Sequence, residues 1–377
     1  MVVTLSVVMW LVAALWLWLG LHNRRTRRVL EVLGPASPAL ADGPLVSIVV
    51  GARDEADRLL RESIGSFLAQ TYANLEVIVV DDQSTDATPA ILAELAAADP
   101  RLRIVHGRPI EPGWVGKQWA VGQGAAVARG EWLLTTDADV LFAPEAVGVG
   151  LATARARGAD FLALVPSVTR TDLGVNIVAP AGLWVIMMQY PPTVTNDPRD
   201  PRAMAVGAYL LYRRAALETV GGHAAIAGCN AEDVSLARTF KRHGFATEVA
   251  DGSPLVYTPM YHSLPEMWRG SGRNAALPNL RLAWLVLAVA LAIGPLPGLV
   301  GLVAAVLGAW PVALAGLAAW ALAAWSFAPF YRAHHVSTLH GLGAGAGLVF
   351  LAAMAFAATC RAGRGGTEWR GRHMGQC

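Results

Sequence analysis

Leu75-Glu76-Val77-Ile78-Val79-Val80-Asp81-Asp82-Gln83-Ser84-Thr85-Asp86 decides the fold. The run from Leu75 to Val80 is apolar except for Glu76 and rich in branched side chains, which reads as a short buried strand. It stops at two aspartates. The turn-forming Gln83-Ser84-Thr85-Asp86 leads to Thr88-Pro89, where proline suits the first turn of a helix reaching about Ala98. A buried strand followed at once by a helix is half of a parallel β–α–β unit.

The same alternation extends both ways. Val46-Ser47-Ile48-Val49-Val50 is a strand ending at Gly51, and Asp57 to Ala69 carries Leu59, Leu60, Ile64, Phe67 and Leu68 at helical spacing. Arg103-Ile104-Val105 is a third strand, residues 117–128 a helix closed by Gly130, and Trp132 to Thr135 a fourth strand. Ala205 to Leu211 reads as a further strand, with a helix from about Arg214. The pattern predicts an α/β domain with a mostly parallel, Rossmann-like sheet flanked by helices and right-handed crossovers.

In such sheets ligands sit at the carboxyl ends of the strands. Those ends carry Arg53-Asp54-Glu55, Asp81-Asp82 and Asp137-Ala138-Asp139, so acidic groups converge on one edge. Asp81 and Asp82 suit hydrogen bonding to a base or ribose, while Asp82 or Asp86 equally suits capping of the next helix. Asp137 and Asp139 flank a small residue, so both can face one hard cation; Mg²⁺ or Mn²⁺ takes one or two carboxylates and completes its shell from phosphate and water. Farther on, Glu232-Asp233 opens a helix running to His243. There the pair reads either as charge matched to the helix dipole or as a general base near an acceptor hydroxyl.

Composition surrounds this domain with membrane. The 377 residues are 54% hydrophobic and 15% charged, against roughly 25% charged in a soluble domain. Val2 to Leu21 lacks charge and is long enough to cross a core of about 30 Å. Its basic residues Arg24, Arg25, Arg27 and Arg28 follow the apolar run, which fits an uncleaved anchor with that end in the cytoplasm. From Leu282 to Tyr331, and again from Ala333 to Cys360, no Asp, Glu, Lys or Arg occurs. The Pro295-to-Gly298 and Gly308-to-Pro311 breaks allow two or three membrane segments there, with Gly341-Leu342-Gly343-Ala344-Gly345 the run expected not to span. Three crossings place the tail outside, whereas Arg361, Arg364, Arg370 and Arg372 place it inside.

The expected order is an anchor over 1–22, a basic linker over 23–45 and a cytoplasmic domain over 46–262. An interfacial helix over 263–281, membrane segments over 282–360 and a basic tail over 361–377 complete it. Ile177 to Tyr190 reads either as domain core or as a membrane-facing lip. The net charge of +2 without a basic stripe excludes a nucleic-acid partner, and three scattered cysteines form neither a disulfide framework nor a zinc pattern.

Together these segments resemble the family 2 glycosyltransferases of GT-A fold. Val46 to Glu55 is similar to that family's opening strand, with Asp54 where asparagine is usual. Ser66-Phe67-Leu68-Ala69-Gln70-Thr71-Tyr72, Glu76 to Asp86, Gly130 to Asp139, and Glu232-Asp233 match in order and spacing. The resemblance implies that Arg53, Asp54, Glu55, Asp81 and Asp82 hold a nucleotide sugar. It implies that Asp139, aided by Asp137, binds Mg²⁺ or Mn²⁺, and that Asp233, beside Glu232, deprotonates the acceptor in an inverting hexosyl transfer.

Gly113-Trp114-Val115-Gly116-Lys117-Gln118-Trp119-Ala120 looks similar to a membrane-bound branch including hopanoid-associated, carotenoid and ceramide-type enzymes. That likeness implies a lipid hydroxyl as acceptor, an inner-membrane location, and Lys117 neutralising diphosphate charge. The Gln-x-x-Arg-Trp motif of ceramide-type enzymes is absent. Trp268, Arg269 and Arg273 offer the chemistry of a diphosphate clamp in another order. A processive polysaccharide synthase would need that motif and more spans, and a non-catalytic sugar-nucleotide-binding protein would not need the full acidic set.

Overall fold

The computed structural model describes residues 1–28, 30–168, 172–229, 231–259, 261–271, 275–362, 368–369 and 372–373. In chain order a helix α1 (Val2–Arg27) precedes β1 (Val46–Ala52), α2 (Leu60–Leu68), β2 (Leu75–Asp81), α3 (Thr88–Ala98), β3 (Leu102–His106), α4 (Gly116–Val127) and β4 (Trp132–Asp137). Then come β5 (Leu141–Phe142), α5 (Ala146–Arg157), β6 (Phe161–Val165), β7 (Ser167–Val168), α6 (Leu173–Gln189), a single turn α7 (Pro192–Thr195), β8 (Leu210–Arg213) and α8 (Arg214–Thr219). α9 (Glu232–Arg242), β9 (Thr247–Asp251), β10 (Val256–Thr258), α10 (Leu264–Ser271), α11 (Leu280–Ile293), α12 (Pro295–Val306), α13 (Trp310–Ala333) and α14 (Ala344–Ala362) follow. The chain divides into an α/β unit, Leu30–Val168 with Pro192–Met260, and a helical unit, Met1–Val29 with Thr169–Pro191 and Tyr261–His373.

The α/β unit is built on a seven-stranded sheet of order β3-β2-β1-β4-β8-β6-β9. β1 pairs in parallel with β2 and β4, and β2 with β3, while β8 runs antiparallel between β4 and β6. Nearly every residue of β1, β2 and β4 is buried, as a sheet covered on both faces requires. α4 approaches the sheet closely because Gly124 has no side chain: a Cβ there would stand 2.5 Å from Val49 Cγ1 and 3.0 Å from Val80 Cγ2. The register matters most. Asp81 lies opposite Ala52, and Asp137 opposite Gly51, so the carboxyl ends of three strands are level.

Two local readings change. The strand expected over 205–211 forms only at Leu210–Arg213, because Gly207 is used for a close backbone approach described below. The helix expected from Asp57 begins at Leu60, because the backbone N–H groups of Glu55 and Ala56 are turned to Thr88 Oγ1 and Asp86 Oδ2.

The domain expected to run unbroken over 46–262 is interrupted. α6, capped by Asp172 Oδ1 on the Val175 N–H, groups with the helical unit. Its composition explains this: Ile177, Ala181 and Gly182 meet residues of α13, α14 and the turn between them, and Trp184 rests on Trp16 and Phe327 at ring separations of 5.7 and 4.7 Å. The interfacial helix expected over 263–281 ends at Ser271, and Asn279 then caps α11 through the Leu282 N–H at 2.9 Å.

Among the described residues, four helices of the helical unit are long and apolar enough to cross a membrane: Val2–Arg27, Leu280–Val306, Trp310–Ala333 and Thr338–Arg361. α1 and α13 run parallel, with Ser6 Oγ on the Pro311 carbonyl and the Arg27 guanidinium on the Pro329 carbonyl at 2.6 Å. α12 returns antiparallel to α13 through the Gly301–Gly316 contact. A 3₁₀ run, Thr338–Gly343, doubles back along α13, with Gly341 against Ala324 and the Leu342 carbonyl accepting from Trp320 Nε1 at 2.8 Å. α14 then runs antiparallel to α11, from Gly345 beside Gly294 to Thr359, whose hydroxyl accepts from the Leu277 N–H. Residues 334–362 thus begin and finish at the end of the bundle that carries Arg24, Arg27 and Arg332.

Candidate active site

The level strand ends build the site from the backbone outward. Beyond β1, Asp54 takes φ +52°, a left-handed conformation that aspartate tolerates. Its carboxylate accepts from the Thr85 N–H at 2.7 Å, and Asp81 Oδ1 accepts from the Ser84 N–H at 3.1 Å. Asp86 Oδ1 accepts from the Thr88 N–H at 2.9 Å and so serves α3. These three aspartates hold the loop. Asp82, almost wholly buried, is different: the Arg53 guanidinium lies 2.9 Å from its carbonyl and 3.6 Å from its carboxylate.

A second cluster stands beyond β4. Lys117, at the start of α4, places Nζ 2.6 Å from Asp137 Oδ1 and 2.5 Å from Glu232 Oε1. Asp139 faces Arg58, whose guanidinium lies 3.3 Å from it and 3.4 Å from Glu55. Asp233 accepts from the Val234 N–H at 2.8 Å and from the Gly207 N–H at 3.0 Å, which fixes both carboxylate oxygens. A Cβ on Gly207 would stand 3.2 Å from Lys117 Nζ, 3.7 Å from Glu232 Oε1 and 3.8 Å from Asp137 Oδ2. The glycine keeps that space clear.

The electrostatics follow from crowding. Burial, then the charge of Asp137, raises the Asp139 carboxyl above its usual range. Burial, then the charge of Glu232, pushes Asp233 up to about 7. Burial alone would lower Lys117, but the carboxylates of Asp137 and Glu232 more than reverse this and hold it well above its ordinary value. His223, buried against Tyr212 Oη at 3.1 Å, is lowered to about 4 by its burial.

Sequence reasoning singled out every carboxylate of this edge. It missed Arg58, which a pattern of apolar positions does not distinguish from a solvated helix residue. It also missed Gly207, whose signal was available: glycine inside a strand pattern marks a close backbone approach. Trp268 and Arg269 lie on α10 in the helical unit, where Trp268 stands edge-on to Phe350 at 5.3 Å. Arg273 lies outside the described residues.

Residues 47–221 match the model of glycosyl transferase family 2. The domain belongs to that family. The succinoglycan biosynthesis protein ExoO of Rhizobium meliloti is 40% identical over 124 residues, 33% of either chain. The beta-monoglucosyldiacylglycerol synthase of Nostoc sp. is 36% identical over 109 residues, 27% of this chain and 22% of its own. These matches span a third or less of the curated relatives' length. A solved structure, the mannosyltransferase PcManGT of Pyrobaculum calidifontis in complex with GDP-Man and Mn²⁺, superposes with a TM-score of 0.54 at 20% identity, over 95% of this chain and 98% of its own. That likeness concerns the fold, which is of GT-A type.

Proposed function

We propose that the protein is a membrane-bound glycosyltransferase moving one sugar from a nucleotide sugar to a lipid hydroxyl, with inversion and with a divalent cation. The carrying observation is the constellation at one sheet edge: Asp137 closing β4, Asp139 just beyond it, and Asp233 with both oxygens fixed by backbone N–H groups. The donor set fits Mg²⁺ or Mn²⁺, since two carboxylates separated by a single residue leave the other coordination positions to phosphate and water. Gly207 adds no side chain against Asp137. A divalent cation bound there supplies positive charge to a departing diphosphate.

The chain's own residues do the rest. Asp82, braced by Arg53, is the nucleoside's acceptor. Asp233 takes the acceptor hydroxyl's proton as that oxygen bonds to C1 from the face opposite the leaving group; the C1–O bond to the nucleoside diphosphate breaks, and the anomeric configuration inverts. A carboxyl held near neutrality by burial is matched to this work.

A lipid acceptor is supported by the helical unit that shares the chain, and by the likeness to a synthase whose name includes a diacylglycerol. Arg24, Arg25, Arg27 and Arg28 put their end of the bundle on the cytoplasmic side of the inner membrane. Because residues 334–362 return to that end, Arg361 at the close of α14 lies there too.

The test is transfer from labelled UDP- and GDP-sugars into a lipid extract by the detergent-solubilised chain with Mn²⁺. Labelled lipid from wild type, and none from Asp139→Ala or Asp233→Asn, is the expected result. Equal labelling by wild type and Asp139→Ala would refute the metal assignment.

A further inference from the structure

Of the 30 residues that are lysine or arginine, two are lysine, Lys117 and Lys241. Lys241 donates to the Thr195 and Arg202 carbonyls at 2.7 and 2.8 Å and has a structural task. Lys117 stands in the acidic cluster, touching Asp137 and Glu232 at once. The chemistry of the side chain suits this place. An ammonium is a compact point charge on a flexible stem, able to sit between two carboxylates and to leave them; a guanidinium is a broad planar fork. Gly207 lies directly against the ammonium, and any side chain there would crowd it, since a Cβ would stand 3.2 Å from Nζ.

Asp137 is also one of the two carboxylates placed for a divalent cation. An ammonium at 2.6 Å and a divalent cation compete for the same oxygen. We infer that Lys117 is a tethered counter-cation: it holds Asp137 and Glu232 together until a divalent cation takes Asp137, and then turns to the donor's diphosphate. This rests on the metal and donor assignments proposed above and adds an order of events to them. Without the divalent cation, Lys117 keeps three carboxylates, Asp137, Glu232 and Asp233, from repelling one another. With it, a positive charge is released beside an arriving anion.

Amine footprinting of the full-length protein in detergent tests this without a variant. Acetylation is followed by mass spectrometry at Lys117, with an added lysine-containing peptide as reference. Mn²⁺ is expected to speed Lys117 modification severalfold over the reference, and Mn²⁺ with UDP or GDP to slow it again. A Lys117-to-reference ratio unchanged by Mn²⁺ overturns the inference. A second measurement is Mn²⁺ affinity by electron paramagnetic resonance, without donor. If Lys117 occupies Asp137 about nine-tenths of the time, Lys117→Met binds Mn²⁺ roughly tenfold more tightly than wild type. Equal or weaker binding by Lys117→Met, while Asp139→Ala loses Mn²⁺, overturns the hand-over and leaves the metal site standing. Wild-type affinity in Asp139→Ala instead overturns the metal site itself.

Discussion

Replacing His223 by glutamine removes a buried titratable group while retaining a side chain able to bond Tyr212 Oη. In the folded protein burial lowers the imidazole from 6.5 to about 4. The unfolded chain therefore takes up a proton first as pH falls, and stability is lost between pH 6.5 and 4. At about 1.36 kcal/mol for each pH unit, a fall from 6.5 to about 4 amounts to roughly 3 kcal/mol at full development and about 2 kcal/mol at pH 5. Asp233 acts in the opposite sense: its raised pKa lowers stability as pH rises from 3.8 to about 7. The difference between wild type and His223→Gln isolates the histidine, provided the two groups act additively. Pulse proteolysis of the solubilised chain across a urea series at pH 7 and pH 5 reads unfolding of the α/β unit. The variant should lose about 2 kcal/mol less than wild type between those pH values. An equal loss in both would show that His223 is protonated in the folded protein, and the burial argument would fail.

Asp233→Asn should retain nucleotide affinity by calorimetry and lose transfer by on the order of 10²-fold or more; undiminished transfer rejects Asp233 as the base. For the wild type, kcat/KM should rise with pH up to about 7 and level off above it, because the base must be ionised. A profile flat from pH 5 to 8 would point to another proton acceptor. Gly124→Ala forces a Cβ to within 2.5 Å of Val49 and should cost about 1–3 kcal/mol in the same proteolysis assay; a neutral outcome would mean that α4 shifts freely over the sheet.

Much of the sheet was legible because the signal is local. Leu75 to Val80 is a short run rich in branched side chains and closed by turn residues, which favours a strand over a helix, and the turn after Asp82 names its own chemistry in Ser84, Thr85 and Asp86. The roles within that turn were not legible. Which aspartate caps, which braces a loop and which faces Arg53 depends on backbone direction at φ +52° for Asp54 and +60° for Gln83. α6 was harder still, since an apolar helix of 17 residues has the same periodicity in a domain core as against membrane helices. The doubling-back of residues 334–343 was foreshadowed by the glycines from 341 to 345. Its direction is set by where Trp320 and Ala324 lie, and no window of sequence contains both partners.

The level ends of β1, β2 and β4 also make the catalytic edge intolerant of length change. One residue inserted or deleted within β2 would slide Asp82 by about 3.3 Å and turn it to the opposite face of the sheet. The Asp99-to-Arg101 turn at the far edge, where α3 gives way to β3, has no such phase to keep. Drift in chain length should therefore collect at that rim and be purged from the other.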